Sequence, residues 1–190
     1  MHKYLCMTTR EQIIELADQL IREKGYNAFS FSDISIAVGI KKASIHYHFS
    51  QKSDLGKAVI EKHIETLRDV IALNQNKTPL KQLEAFIQIY CQAKKEDKIC
   101  IVGSVATDYN TVDDRMKGPL KTFTQLVSHW VEDFLAQGRN DGVFFFAGEP
   151  RIKALMVITN LLAIVQLSRI TGLQDFKKVV KQIKEELLSH

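Results

Sequence analysis

The sequence contains little of what could hold a chain together without a hydrophobic core. It has three cysteines, three prolines and nine glycines among 190 residues. So few thiols, and an odd number of them, exclude a disulfide scaffold and are typical of a reducing compartment. The low glycine and proline content excludes a collagen-like chain. With 45% hydrophobic and 25% charged residues, the chain can build a genuine core, which excludes disorder.

Long hydrophobic runs are also scarce. Polar and charged residues interrupt the N-terminal positions before an apolar segment of useful length forms, so we expect no signal peptide. The longest apolar stretch, residues 154–167, is interrupted by Thr159, Asn160 and Gln166. It is shorter than the roughly 18 to 20 residues that a membrane-spanning helix needs. The sequence therefore predicts a cytoplasmic protein with no membrane partner.

The motifs of common enzyme chemistry are missing as well. The sequence has no P-loop, dinucleotide fingerprint, nucleophile elbow or zinc-protease helix. His46 and His48 are two positions apart, so on a helix their side chains diverge by about 200° and cannot share a metal ion. Cys91 and Cys100 have no clearly cationic surroundings that would activate a thiolate, which favours two buried structural thiols. We predict no enzyme activity, no catalytic residue, no cofactor and no metal.

What is present is a series of helical patterns separated by single helix-breaking residues. Thr8 with Glu11, and Ser30 with Asp33, have the spacing of capping boxes, and each pair precedes an apolar repeat at helical intervals. These repeats predict two helices that end at the glycines following them. A third short helix is predicted over residues 41–49. A long amphipathic helix is then predicted from residue 51 to the polar run at 74–77.

The C-terminal part of the chain shows the same organisation. Each of the three prolines stands where a new apolar repeat begins, as proline does in the first turn of a helix. They predict helices over residues 80–93, 120–136 and 151–170. A last helix is predicted after Gly172. We favour helix over strand for residues 99–109 and an irregular turn for residues 143–147, since two isolated strands make a poor sheet.

Residues 25–55 carry the clearest functional pattern. Two short helices joined by a glycine-containing turn match the helix-turn-helix, whose second helix enters the major groove of DNA. Lysines at the start of that second helix oppose the helix macrodipole, a conflict that a nearby phosphate would relieve. Residues 39–57 hold four lysines and one aspartate, in a chain of formal net charge +4. The pattern predicts double-stranded DNA as a partner.

The same segment, GYNAFSFSDISIAVGIKKASIHYHFSQKSDL, resembles the N-terminal DNA-binding region of TetR-family transcriptional regulators. The resemblance consists of a glycine-aromatic end to the first helix, a Ser-x-x-Asp-Ile start to the second, a Gly-Ile turn, and an aromatic-x-x-Lys-x-x-Leu sequence after the recognition helix. It implies an all-helical regulator that represses transcription as a dimer, with a divergent C-terminal domain that binds a small effector.

The resemblance and the outward face of the second short helix together predict the DNA-binding residues. They are Lys41, Lys42, Ser44, His46, Tyr47, His48 and Lys52, of which Lys52 occupies the position of the family's phosphate-contacting lysine. Two positions depart from the family pattern. Lys41 replaces the usual Ser or Thr cap of the recognition helix, and His46 replaces the usual Tyr, so the base preference cannot be copied from relatives. Tyr47 and His48 have the alternative role of bracing the recognition helix against the first helix.

The predicted fold class is all-α, with a helix-turn-helix DNA-binding domain at residues 1–55 and a helical effector-binding and dimerisation domain at 56–190. Aromatic and polar residues within the second domain form the expected effector pocket. Few carboxylates or arginines fall on the surrounding helix faces, which favours a largely apolar effector. The residues are Phe86, Tyr90, Phe123, Trp130 and Asn160. Each of them taken singly is also explained as ordinary core.

The last two predicted helices indicate a homodimer. The helix over residues 151–170 is apolar around nearly its whole circumference, which is more than one bundle can readily cover. The final helix adds an apolar stripe, so that two helices from each subunit can form a four-helix interface. The interface residues predicted are Leu155, Ile158, Leu162, Val165, Phe176, Val180 and Ile183.

Two other classes of protein stay open on the sequence. One is a helical small-molecule or thiol-redox sensor that does not bind DNA, and the other is a helical enzyme. The sequence leaves open whether the effector induces or corepresses, and whether Cys91 or Cys100 senses redox state.

Overall fold

The computed structural model describes residues 7–189 and confirms the all-α prediction. Over this range the regular structure consists of nine α-helices and one short 3₁₀ helix, Tyr26–Ala28. The α-helices are α1 Thr9–Lys24, α2 Phe31–Val38, α3 Lys42–His48, α4 Lys52–Asn74, α5 Pro79–Lys95, α6 Ile101–Ala106, α7 Asp114–Asn140, α8 Pro150–Thr171 and α9 Leu173–Leu188. Cys6 lies outside the described residues.

The first two helices begin with the predicted capping boxes. The backbone N–H of Glu11 donates to Thr8 Oγ1 at 3.3 Å, and the Thr8 N–H donates to the Glu11 carboxylate at 2.7 Å. At α2 the Ser30 N–H donates to the Asp33 carboxylate at 2.7 Å. Gly39 then ends α2 with φ 76°, ψ 31°, a left-handed conformation that favours glycine. Local sequence signals therefore determine where α2 ends and the turn to α3 begins.

The proline rule is confirmed at two helices and wrong at the third. Pro79 and Pro150 occupy the first positions of α5 and α8. Pro119, in contrast, lies inside α7, although a proline there lacks the N–H for a helical hydrogen bond. The helix begins earlier because the Asp113 carboxylate accepts the Arg115 N–H at 3.0 Å, as an N-cap side chain does.

The two segments with weak patterns are largely as predicted. Residues 99–109 contain a helix, α6, but it covers only Ile101–Ala106 and is followed by turns. Residues 143–147 have no regular secondary structure, as expected of an irregular turn.

Packing divides the chain into two units. The first comprises the residues up to Glu65 together with Ile101–Phe123, and the second comprises Thr66–Cys100 together with the residues from Thr124 onward. Helices α4 and α7 each contribute to both units. The boundary between residues 55 and 56 is a division by function, and it stays a prediction.

Helix α1 is the centre of the first unit, where it contacts α2, α3 and α6. The Ser104 hydroxyl of α6 donates to the carbonyl of Ile21 at 2.5 Å. The His63 ring of α4 is hydrogen-bonded to the buried Asp18 carboxylate of α1, also at 2.5 Å. Burial raises the pKa of Asp18, but the hydrogen bond and charge of His63, with Arg22 and Lys62, outweigh it and lower that pKa. These contacts attach α4 and α6 to α1, which also packs against the two helices of the helix-turn-helix.

The length of helix α8 contradicts the expectation that no apolar segment is long enough to span a membrane. The helix runs for 22 residues, beyond the apolar stretch seen in the sequence, and by length and composition it is apolar enough to cross a membrane. Among residues 7–189 it is the one helix that meets this criterion, and its apolar segment is partly buried. Core helices of soluble proteins meet the same criterion, so length and composition are weak evidence for a membrane span.

Candidate functional site

Helix α3 has one side in the core of the first unit and the rest in solvent. Ile45 and Phe49 are buried, so they fix the rotation of the helix about its axis. Of the predicted DNA-binding residues, Lys41, Lys42, His46 and Tyr47 are exposed, and Ser44 and His48 are half-buried. Tyr47 is 86% exposed, which removes a bracing role between α3 and α1 for this residue. The structure thus places a basic and aromatic set on one accessible surface, which we call the α3 face.

The ammonium group of Lys52 is held by contacts within the chain. It donates to the Phe29 carbonyl at 2.5 Å and lies 4.3 Å and 4.7 Å from the ring centroids of Phe29 and Tyr26. Burial lowers the pKa of Lys52, while the carboxylates of Asp108 and Asp33 act in the opposite direction. An ammonium group has three donors, so the contact with Phe29 leaves donors for a phosphate. The phosphate contact of Lys52 stays a prediction.

The joint between α3 and α4 is organised by a carboxylate that sequence reasoning missed. Asp54 accepts the Ser50 hydroxyl at 2.6 Å and the Gln51 N–H at 3.2 Å. Its other oxygen accepts Arg115 Nη1 of α7 at 2.8 Å. The Ser50 hydrogen bond, followed by that of Arg115, lowers the pKa of Asp54. The available signal was the capping spacing of Gln51 and Asp54, within a stretch where Asp54 is the one acid.

Three of the predicted effector residues form a packed aromatic cluster in the second unit. The Phe86 ring centroid lies 5.3 Å from Tyr90 and 5.8 Å from Trp130. All three side chains are buried, and Trp130 Nε1 donates to the buried Gln82 Oε1 at 3.0 Å. Phe134 joins the cluster, 5.8 Å from Trp130. The contacts are those of a filled core.

A cavity of about 290 Å³ lies beside this cluster. Trp130, Phe134, Ile71 and Leu126 supply its apolar lining. Its polar lining consists of Gln75, Gln82, His129, Asp133 and Gln137. The described cavity is therefore amphipathic, whereas the sequence predicted a pocket lined mainly by aromatic rings.

The other two predicted effector residues lie elsewhere. Phe123 belongs to the first unit, where its ring lies edge-on to His63 at a centroid distance of 6.4 Å. Asn160 is exposed on α8 and does not enter the aromatic cluster. Sequence reasoning misplaced Asn160 because α8 is apolar on nearly every side, so its pattern does not show which side is buried.

The predicted dimer residues divide between core and surface. Ile158, Val165, Phe176 and Ile183 are buried within the chain, so they are core residues and not an exposed interface. Leu155 is exposed, and Leu162 and Val180 are half-buried. The exposed apolar side chains that the prediction missed on and next to α8 are Ile152, Met156, Leu167, Ile170 and Leu173.

The exposed large apolar side chains of α8 define a surface that we call the α8 face. Ile152, Leu155, Met156, Leu167 and Ile170 recur at helical intervals along one side of α8. The polar residues interleaved with them on this side, such as Asn160, are uncharged. A side of this kind is typical of an interface between proteins.

Cys91 and Cys100 are half-buried, whereas the sequence favoured two buried thiols. Burial raises the pKa of the Cys91 thiol, and Lys184 lowers it by a smaller amount. A raised pKa disfavours the thiolate that redox chemistry needs.

The first unit thus contains a helix-turn-helix with an exposed basic face, and the second unit is helical, which is the architecture of a DNA-binding transcriptional regulator. Residues 13–59 match the family described as bacterial regulatory proteins, tetR family. A TetR transcriptional regulator from Legionella pneumophila has a solved structure that is 30% identical, with a TM-score of 0.83, over 95% of this chain and 98% of that one. The chain belongs to the TetR family. Membership confirms the predictions of a transcriptional regulator and of a non-enzymatic protein. It decides against the two alternatives, a helical sensor that does not bind DNA and a helical enzyme.

Two curated relatives match over shorter stretches. IcaR of Staphylococcus aureus strain Newman, the negative transcriptional regulator of the biofilm operon icaADBC, is 38% identical over 69 residues, which are 36% of this chain and 37% of IcaR. An uncharacterised helix-turn-helix regulator from the lacX 3' region of Lactococcus lactis is 27% identical over 127 residues, which are 64% of this chain and 65% of that protein. The chain therefore matches less than two thirds of the length of either relative.

Proposed function

We propose that this protein is a cytoplasmic repressor that binds a palindromic operator as a homodimer and is released by a small effector. The observation that carries the proposal is the α3 face. Buried Ile45 and Phe49 anchor the helix in the core. Its exposed side chains are Lys41, Lys42, His46 and Tyr47. Such a helix fits the major groove and offers donors to phosphates and base edges. Repression is the activity that the name of IcaR states for that relative.

A dimer accounts for operator symmetry. Two recognition helices roughly 34 Å apart reach the same side of a palindromic site. The α8 face supplies the surface for this dimer. Because α4 and α7 each contribute residues to both units, a ligand that shifts either helix changes the spacing of the recognition helices. Moving a 99:1 population to 1:99 needs about 5.5 kcal/mol of differential effector affinity.

DNA binding is tested by selection from a random-site library at low salt, and by gel shifts with the DNA upstream of the protein's own gene. We expect enrichment of a palindrome and retention that weakens as salt is raised. If no sequence is enriched and the upstream DNA is not retained, the proposed function is wrong.

The first prediction concerns Lys42, which is exposed at the start of α3. Lys42→Ala should weaken binding to specific and nonspecific DNA by similar factors, because a phosphate contact carries no base information. The slope of log affinity against log salt is negative, and its magnitude should decrease by about one. Fluorescence anisotropy at several salt concentrations measures both effects.

Lys178→Ala is the matched control, since Lys178 is exposed on α9 in the second unit. We expect it to leave the salt slope unchanged. An equal effect of both substitutions would show that only total charge matters, and would remove Lys42 from the interface.

The effector site that we propose is the cavity of about 290 Å³ beside Trp130. Its apolar lining and its rim of imidazole, carboxylate and carboxamide groups fit a small molecule with an apolar body and one hydrogen-bonding end. Tyr90 and Trp130 are unsuitable as test positions because both are buried in the aromatic cluster. Exposed rim residues provide a test that leaves the core intact.

The second prediction is that a thermal-shift screen of such molecules finds compounds that raise the melting temperature. The shift should fall in His129→Ala, whose exposed side chain lines the cavity. Gln125→Ala is the control, because Gln125 is exposed on α7 outside the lining. Compounds that shift all three proteins equally bind elsewhere, and the cavity is then not their site.

A further inference from the structure

The His46 ring on the α3 face is fixed by two contacts. Its Nδ1 lies 3.3 Å from the Ser50 carbonyl oxygen, and its ring is edge-on to Phe31 with a centroid distance of 5.1 Å. A carbonyl oxygen only accepts hydrogen bonds, so the hydrogen bond requires a proton on Nδ1. The contact with Ser50 therefore selects one of the two tautomers of the neutral ring.

The selected tautomer determines what His46 offers to a ligand. With the proton on Nδ1, the Nε2 atom of a neutral imidazole is an acceptor. In the major groove, the donors on base edges are the N6 amino group of adenine and the N4 amino group of cytosine. Guanine presents two acceptors there, and thymine presents an acceptor and a methyl group. An acceptor at His46 therefore complements adenine or cytosine.

The Ser50 carbonyl is itself held in place by a series of contacts that begins on α7. The Ser50 hydroxyl and the Gln51 N–H both donate to Asp54, which fixes the turn between α3 and α4. Asp54 is in turn held by Arg115 at 2.8 Å. The Arg115 Nε lies 3.2 Å from the Asp113 carboxylate, so the guanidinium group is fixed from two sides.

We propose that His46 reads adenine or cytosine through an unprotonated Nε2, and that Asp54 and Arg115 are positioning residues which hold Ser50 and thereby select this tautomer. The proposal rests on the proposed function, since it requires α3 to enter the major groove. It adds a base preference at a position where His46 replaces the Tyr usual in the family pattern. It also makes base readout dependent on a residue of α7, outside the helix-turn-helix.

The tautomer can be measured without DNA. Long-range proton–nitrogen correlation spectra of the ¹⁵N-labelled protein, recorded at mildly alkaline pH where an ordinary histidine is neutral, show which ring nitrogen carries the proton. The His46 signal is assigned by its loss in His46→Gln. We expect a protonated Nδ1 in the wild type, and a mixture of tautomers in Arg115→Gln and Asp54→Asn. A protonated Nε2 in the wild type would overturn the proposal.

The base preference is measured by site selection with the same variants. His46→Ala should lose discrimination at one position of each half-site by about three- to tenfold, the effect of one hydrogen bond. Arg115→Gln should lose part of that discrimination at the same position. Arg115→Lys, which keeps the charge, should lose less of it than Arg115→Gln. Arg139→Gln is the control, because Arg139 lies on α7 in the second unit.

The outcomes separate this proposal from the proposed function. If the wild type selects no site, the proposed function fails, while the tautomer measurement still decides how His46 is held. If the wild type selects a palindrome and the His46 position prefers guanine or thymine, the inference on base preference is wrong. If Arg115→Gln changes stability but neither the tautomer nor the base preference, Arg115 is structural and not a positioning residue.

Discussion

A chain carrying both Met156→Glu and Leu167→Glu should be a folded monomer that no longer holds a palindromic operator tightly. Both side chains are 52% exposed in the chain and lie on the α8 face, eleven residues apart, which is about three helical turns. Carboxylates at these positions stay in water in the monomer, so folding should continue. In a dimer they would be buried without partners, which is strongly unfavourable.

The expected loss of operator affinity is about 10²- to 10⁴-fold, because two linked recognition helices bind with an effective concentration that a monomer lacks. Sedimentation measures the mass, which should fall from twice 21.7 kDa to the monomer value. Circular dichroism should show unchanged helix content. Gel shifts with full and half operators then measure the affinity.

Two controls locate the interface. Ile164→Glu should unfold the chain, since Ile164 is 6% exposed and belongs to the core. Lys178→Glu changes the charge on an exposed position of α9 outside the α8 face, and should leave a dimer. A double Met156/Leu167 variant that remains dimeric with wild-type affinity would show that the interface lies elsewhere.

Trp130→Ala should lower the free energy of unfolding by about 3–5 kcal/mol, as truncation of a large buried aromatic residue does. Trp130 is 5% exposed and packs against Phe86 and Phe134. Its removal also leaves Gln82 Oε1 without the indole donor in a buried position. Trp130→Phe keeps much of the ring packing and loses the hydrogen bond, so its cost should be smaller. Urea unfolding followed by circular dichroism measures both variants.

This result bears on the effector site. If the aromatic cluster is filled core, the large cost follows, and the proposed effector site stays at the neighbouring cavity. A cost below about 1 kcal/mol for Trp130→Ala would instead mean that the aromatic cluster is loosely packed, and the pocket predicted from the sequence would be restored. Tyr47→Ala is the reference for an exposed aromatic residue and should change stability by no more than about 0.5 kcal/mol.

The helix-turn-helix was predictable because its determinants are local. Capping pairs such as Ser30 and Asp33 lie three positions apart, and the left-handed φ of Gly39 is a property of a single residue. Buried Ile45 and Phe49 are four positions apart, so the outward face of α3 follows from helical geometry alone. The predicted contacts of this face with DNA remain to be tested.

Local signals also explain one error. Proline is compatible with the first helical turn, and at Pro119 that preference suggested a helix start. The Asp113 cap nonetheless begins α7 earlier, and the neighbouring Met116 is completely buried. Burial of Met116 depends on residues distant in sequence, which a local pattern does not contain.

By itself the sequence determined the all-helical class, the boundaries of most helices, the helix-turn-helix and the exposed set on α3, because caps, glycines and helical periodicity act within a few residues. Only the tertiary structure decided which side of α8 is covered, so that Ile158 and Val165 became core while Met156 and Leu167 became surface. It also decided that Trp130 is packed, that Asn160 is exposed, and that Arg115 reaches Asp54. An apolar helix surface has no preferred direction until its neighbours are in place, and an ion pair between residues 61 positions apart leaves no periodic trace in the chain.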